Sequence, residues 1–105
     1  MLLAAVEANN KKLVDYYIER GATNYRAAEH IAIENNDFEM LKFLYDRMLG
    51  GIQNLPQDIF VENMHEAVRK YKTVDNKIVL YYIRENIRRE KESNKNYRRK
   101  LKKRK

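Results

Sequence analysis

The chain has 105 residues and a formal net charge of +7, with 44% apolar and 35% charged residues, 8 Tyr, 2 His and neither Cys nor Trp. That length holds one small domain, and the lack of Cys excludes a disulfide scaffold, a thiolate metal site and a cysteine nucleophile. Apolar stretches fall far short of the ~20 residues that cross a bilayer, and Met1 to Val6 runs into Glu7 with no basic lead-in, unlike a secretory signal. In chain order, six helices are expected. The first is Leu2–Ala8, closed by Asn9-Asn10, which suit a left-handed turn or a cap. The second is Lys11–Arg20, with Leu13/Val14 and Tyr16/Tyr17 at i, i+1, i+3, i+4 as one apolar stripe. Gly21 stops it. The third, Arg26–Glu34, ends at Asn35-Asn36-Asp37. The fourth, Phe38–Met48, repeats the stripe with Met40/Leu41 and Phe43/Leu44. Gly50-Gly51 closes it, and Pro56 suits the start of the next helix. The fifth is Asp58–Tyr71. The sixth, Asp75–Glu90, carries Ile78/Val79 and Tyr81/Tyr82. No segment alternates as a strand does.

The elements repeat. One ungapped shift superimposes Ala5-Val6-Glu7 on Ala32-Ile33-Glu34, Leu13-Val14 on Met40-Leu41, and Tyr16-Tyr17 on Phe43-Leu44. A third copy follows at longer spacing, with Ala67-Val68 answering to Ala32-Ile33 and the run Ile78 to Ile83 answering to Leu13 to Ile18. Two insertions account for the stretch, about eight residues around Gly50 to Pro56 and about three near Lys72 to Val74. One hairpin of short helices cannot bury its own apolar face, whereas three stacked hairpins share a core. Ala5, Ala32 and Ala67 then allow close helix approach, and Tyr17, Leu44 and Tyr82 fill the space between hairpins.

The segment Leu13-Val14-Asp15-Tyr16-Tyr17-Ile18-Glu19-Arg20-Gly21-Ala22 resembles the second helix and closing Gly-Ala of an ankyrin repeat. His30-Ile31-Ala32 and His65-Glu66-Ala67 match the end of the T-P-L-H-x-A signature, whereas Ala27-Ala28-Glu29 and Glu62-Asn63-Met64 replace Thr-Pro-Leu. The period is shorter than the usual ~33 residues, so the β-turn finger between repeats is reduced, as in the compact ankyrin-like repeats of large DNA viruses. The resemblance covers residues 1–87 (copies about 1–22, 23–50 and 57–87). It implies an all-α solenoid of three stacked hairpins that binds a protein, a host factor if the source is viral, along a concave face. By the family's contact positions that face is Glu7, Ala8, Glu34, Asn35, Arg69 and Lys70. The same resemblance makes His30 and His65 structural residues that donate to backbone and fix the turn. The apolar start at Met1, Leu2 and Leu3 fits a longer parent with further repeats upstream.

Sites for chemistry are sparse. No metal, cofactor, membrane or small-molecule substrate is implied, and no nucleophile elbow, phosphate loop or H-E-x-x-H is present. Glu62, Glu66 and Lys70 share one helix face and suit surface ion pairing at i, i+4. Tyr16, Tyr17, Tyr81 and Tyr82 fall on the core stripe, whereas Tyr25, Tyr71 and Tyr97 lie off it and are expected to make exposed contacts.

The charge is divided. Residues 84–105 hold 12 Lys/Arg and 3 Glu, a net of +9, leaving −2 for residues 1–83. A basic tail over residues 88–105 follows: Arg88, Arg89, a spacer, then Arg98, Arg99, Lys100, Lys102, Lys103, Arg104 and Lys105. It reads as a solvated helix end, as a bipartite nuclear import signal, or as a contact to phosphate or an acidic partner. The expected function is a non-enzymatic protein-interaction module acting inside the cell, in cytoplasm or nucleus. The alternatives are a nucleic-acid-associated protein acting through the tail and an assembly subunit anchored by it.

Overall fold

A computed structural model describes the backbone of residues 1–103 and the side chains of residues 1–96. Among the described residues the chain is all-helical: α1 Leu2–Glu7, α2 Lys11–Glu19, α3 Tyr25–Glu34, α4 Phe38–Leu49, a 3-10 turn Ile52–Asn54, α5 Gln57–Tyr71 and α6 Lys77–Lys103. The expected helices are all present, with ends displaced by one or two residues except at the end of α6. That helix crosses the expected boundary between Ile87 and Arg88 without a break and runs on past Glu90 to Lys103.

The turns show why the chain folds as hairpins. Asn9 and Asn36 both take the left-handed conformation at φ 53°, which asparagine tolerates better than most residues. The residue after each caps the next helix, Asn10 Oδ1 accepting from Leu13 N–H at 3.1 Å and Asp37 Oδ1 from Met40 N–H at 3.2 Å. The backbone bonds match at the same shift: Asn9 N–H to Val6 O recurs as Asn36 to Ile33, and Asn10 to Ala5 recurs as Asp37 to Ala32. In the third copy the two duties separate. Lys72 takes the left-handed turn at φ 56°, and Asn76, further along the chain, caps α6 by accepting from Ile78 and Val79 N–H at 2.9 and 3.1 Å. The shorter of the two insertions read from the sequence lies between them.

The helices pack in two rows. α1 packs on α2, α3 on α4 and α5 on α6, while α1 also packs on α3 and α2 on α4. The result is a slab with extents of 56 × 33 × 17 Å, about two helices thick. Ala5, Ala32 and Ala67 are all buried, as are Val14, Met40, Leu41, Leu44, Phe60, Ile78, Val79 and Tyr82. Position in the stack decides the exceptions. Val6 and Ile33 are buried but their counterpart Val68 is 41% exposed, and Met40 and Ile78 are buried but their counterpart Leu13 is 43% exposed. Leu13 and Tyr16 were both expected in the core; they are exposed because no hairpin among the described residues covers that side of the first copy.

The insertion around Gly50 to Pro56 forms the 3-10 turn. Gly50 closes α4 in the left-handed conformation (φ 80°), a backbone shape that glycine adopts at little cost. Ile52 and Leu55 then turn inward and are buried.

Candidate functional site

The residues expected to line a binding face all belong to the row of first helices or the turns that follow them. Glu7 and Ala8 close α1, Glu34 and Asn35 close α3, and Arg69 and Lys70 lie in the last turn of α5; all six are exposed. The structure brings the first two pairs together, with Asn35 Nδ2 donating to Glu7 Oε1 at 3.3 Å. Arg69 and Lys70 follow on the far side of Tyr71, whose hydroxyl donates to the Ile33 carbonyl. That bond pins the end of α5 to the end of α3. It also corrects one expectation: Tyr71 is half-buried and holds two repeats together instead of standing out as a contact residue.

Side chains along α3 and α5 bridge the second and third hairpins. Arg26 meets Glu62 at 2.8 Å, and His30 Nδ1 meets Glu66 Oε2 at 2.8 Å. Two further expectations change here. Neither histidine fixes a turn through backbone: His30 faces a carboxylate across the row, and His65 is exposed. Glu62 and Glu66 pair across helices with Arg26 and His30 of α3, and neither is bridged to Lys70 among the described residues.

Beneath this surface lies a buried polar chain. Glu29 of α3 and Asn63 of α5 are each only 1% exposed. Asn63 Nδ2 donates to Glu29 Oε2 at 3.1 Å and to the Tyr45 hydroxyl at 3.2 Å, and the Tyr45 and Tyr82 hydroxyls lie 2.6 Å apart. The chain links α3, α5, α4 and α6, which fixes the third hairpin on the second by directional bonds as well as apolar packing. Glu29 Oε1 has no partner among the described residues. Burial pushes the Glu29 carboxyl up to about 7, against the opposing pull of the Asn63 bond and the Arg26 charge. Burial likewise raises the Tyr45 and Tyr82 hydroxyls far above the usual tyrosine range. The sequence did hold a signal for this chain. Glu29 aligns with Leu2 of the first copy and Met64 of the third, so a carboxylate occupies a position that is apolar in the other two copies.

The two ends of the basic segment have different environments. Arg89 Nε donates to Glu85 at 2.7 Å, its Nη1 to Gln57 at 2.8 Å, and its Nη2 to the Ile52 and Leu55 carbonyls at 3.0 and 2.8 Å. Its guanidinium also lies 4.2 Å from the centroid of the Phe60 ring. Arg89 is thus the residue that ties the 3-10 turn to α6, and its donors are committed within the body. Arg88 is half-exposed and bound to the other side of Glu85 at 2.8 Å. Burial alone would raise the Glu85 carboxyl, but the hydrogen bonds and charges of Arg88 and Arg89 outweigh it and hold it below the usual carboxylate range. Arg98, Arg99, Lys100, Lys102 and Lys103 lie on the helical backbone of α6 with their side chains outside the described residues, as is the side chain of Tyr97; Arg104 and Lys105 lie outside them altogether.

No helix among the described residues is long and apolar enough to cross a membrane, and no cluster of three or more His, Asp or Glu among them has a metal-binding arrangement. Comparison of the chain with protein-family models, with curated proteins and with solved structures returns no match.

Proposed function

We propose that the chain is a protein-binding module, a short ankyrin-like stack whose first-helix row carries the partner. The observation that supports this reading is the alignment of repeat-equivalent exposed positions on α1, α3 and α5. Glu7 and Ala8, Glu34 and Asn35, then Arg69 and Lys70 grade from acidic to basic across one surface. Two bridges between hairpins, Arg26–Glu62 and His30–Glu66, span α3 and α5 beside that surface. No chemistry is performed, and the partner is a protein with a charge pattern opposite to the row, a host factor in a viral setting. The test is co-purification with the full chain and with Arg69→Glu/Lys70→Glu. The double variant loses the partner while its far-ultraviolet circular dichroism stays unchanged; retention of the partner by the variant rejects the face.

The continuation of α6 through Lys103 supports a second reading, in which its basic end carries the chain into the nucleus or onto nucleic acid. Salt separates the two readings. Affinity for duplex DNA falls with salt at a log–log slope of about −0.9 per phosphate contacted, whereas a packed protein interface depends on salt only weakly.

A further inference from the structure

The repeat supplies an internal comparison on the row of second helices. Between α2 and α4 lies a shallow hollow lined by Lys11, Glu39, Lys42, Phe43 and Asp46. Between α4 and α6 lies another, of about 140 Å³, lined by Phe38, Lys77, Leu80, Tyr81 and Arg84. The two are the same site in successive repeats. The repeat shift that relates α2 to α4 carries Lys11 to Phe38, and the one that relates α4 to α6 carries Glu39 to Lys77, Lys42 to Leu80, Phe43 to Tyr81 and Asp46 to Arg84. The aromatic floor is kept, while every other position changes character. The first hollow is self-neutralising: two cations face two carboxylates, and Lys11 Nζ lies 5.9 Å above the Phe43 ring. In the second, both carboxylates have become cations and both lysines have become apolar. Its lining therefore carries Lys77 and Arg84, no anion, and a floor of Phe38, Leu80 and Tyr81. Neither Lys77 nor Arg84 is in an ion pair among the described residues.

The cations do not stop at the hollow. Arg84, Arg88, Lys91 and Lys95 follow at steps of four, three and four, which sets them on one line along an α-helix; of these, Arg88 is already paired with Glu85. Lys77 lies one heptad before Arg84 on the same line. From Lys77 to Lys95 the line runs about 27 Å at ~1.5 Å per residue. Carboxylates spaced three to four positions apart on a second helix have the same pitch.

We propose that the α4–α6 hollow and this line form a docking surface for an acidic helical peptide segment, with one leucine-sized or phenylalanine-sized side chain seated between Lys77 and Arg84. Charge complementarity selects the acidic helix, and the apolar floor supplies what a phosphate backbone has no group to fill. The Tyr81 ring has one face stacked on Tyr45 at 6.3 Å, meets Phe38 edge-on at 5.3 Å and lies tilted against Tyr82 at 6.0 Å, which leaves little of it open to a stacked base. The surface belongs to the second-helix row, so it stands or falls apart from the first-helix reading.

The experiment is fluorescence anisotropy of the full chain with a labelled 20-residue helical peptide carrying Glu every three to four positions and a single central Leu. A second peptide has Ser for that Leu, and a 20-base-pair DNA duplex serves as competitor. Binding of the Leu peptide weakens at least about tenfold in Lys77→Glu/Arg84→Glu and keeps its Leu-over-Ser preference in Lys11→Glu/Lys42→Glu. The Ser peptide binds about tenfold more weakly to the unaltered chain, an arm that needs no protein variant. Equal binding of the Leu and Ser peptides overturns the proposal. So does Leu-peptide binding that survives Lys77→Glu/Arg84→Glu. A DNA duplex that binds more tightly than the Leu peptide, with no response to that double variant, assigns the line to nucleic acid instead and also overturns it.

Discussion

Glu29 and Arg89 are the residues whose chemistry the fold changes most, in opposite directions. Glu29 is a carboxyl taken out of water with one oxygen partnered by Asn63 and the other by nothing described. Its proton is held more tightly in the folded chain, at about 7, than at its ordinary value of 4.5, so the folded chain carries more protons across that window. Stability is therefore greatest below pH 4.5 as far as this group is concerned, falls as pH rises toward 7, and levels off above it. The loss is at most about 3 kcal/mol. Arg26 on α3, Asn63 on α5 and Tyr45 on α4 are the groups that face it. Glu29→Gln keeps the Asn63 bond and removes the charge, so its urea midpoint at about pH 8 rises above that of the unaltered chain while the two converge near the ordinary carboxyl value. Parallel pH curves for the two chains refute the assignment. Arg89 is the converse, a cation with four of its five N–H donors bonded inside the fold. Arg89→Ala leaves the Glu85 carboxylate with one partner and strips two carbonyls of their donor, for a cost of about 3 kcal/mol. Arg89→Lys recovers only part of it, because an ammonium lacks the fork that reaches four acceptors. Equilibrium urea unfolding measures both. Such residues were legible in the sequence only as exceptions. Glu29 broke the apolar pattern, while Arg89 was indistinguishable from its basic neighbours, since only the folded turn at Ile52 to Leu55 gives it a target.

At the scale of elements, the helices were readable because their limits are local. Asn or Asp directly after a left-handed Asn fixes the start of α2 and α4 through one side-chain bond each. Removing either cap, Asn10→Ala or Asp37→Ala, is expected to cost about 1 kcal/mol. Asn76→Ala is expected to cost more, because Asn76 accepts from two α6 amides and its Nδ2 also donates to Asn36 at 2.9 Å. Thermal melts of the three variants order these costs, and an Asn76 variant no worse than the other two would show that the link to Asn36 contributes nothing. The length of α6 was not readable in the same way. Its apolar stripe fades after Ile83, and Ile87 is exposed, yet Glu85, Arg88 and Arg89 form an i, i+3, i+4 network that supports the helix there. A run of charge thus read as a boundary is here a helix-supporting segment.

At the scale of the molecule, the body and the basic end separate in charge more clearly than in structure. Residues 95–105 hold eight Lys/Arg and no acidic side chain, so a chain ending at Asn94 falls from +7 to −1 in net charge. Because residues 91–96 are exposed, the truncated chain is expected to unfold within about 1 kcal/mol of the full chain, and loss of cooperative unfolding would contradict this. On the nucleic-acid reading the truncated chain also loses salt-dependent binding to DNA, and on the first-helix reading it keeps its partner. The sequence by itself determined the all-helical class, the six helices, the capping turns before α2 and α4, the repeated stripe and the division of charge. Each of these depends on neighbours within one or two turns, or on a periodicity that survives without coordinates. Only the tertiary structure decided which members of the stripe are covered, that Tyr71, His30 and Arg89 reach across repeats, and that Glu29 and Asn63 meet in the interior. The reason is common to all of them. Burial and cross-repeat pairing depend on which hairpin lies against which, and a side chain a whole repeat away in sequence becomes the nearest neighbour only when the stack has formed.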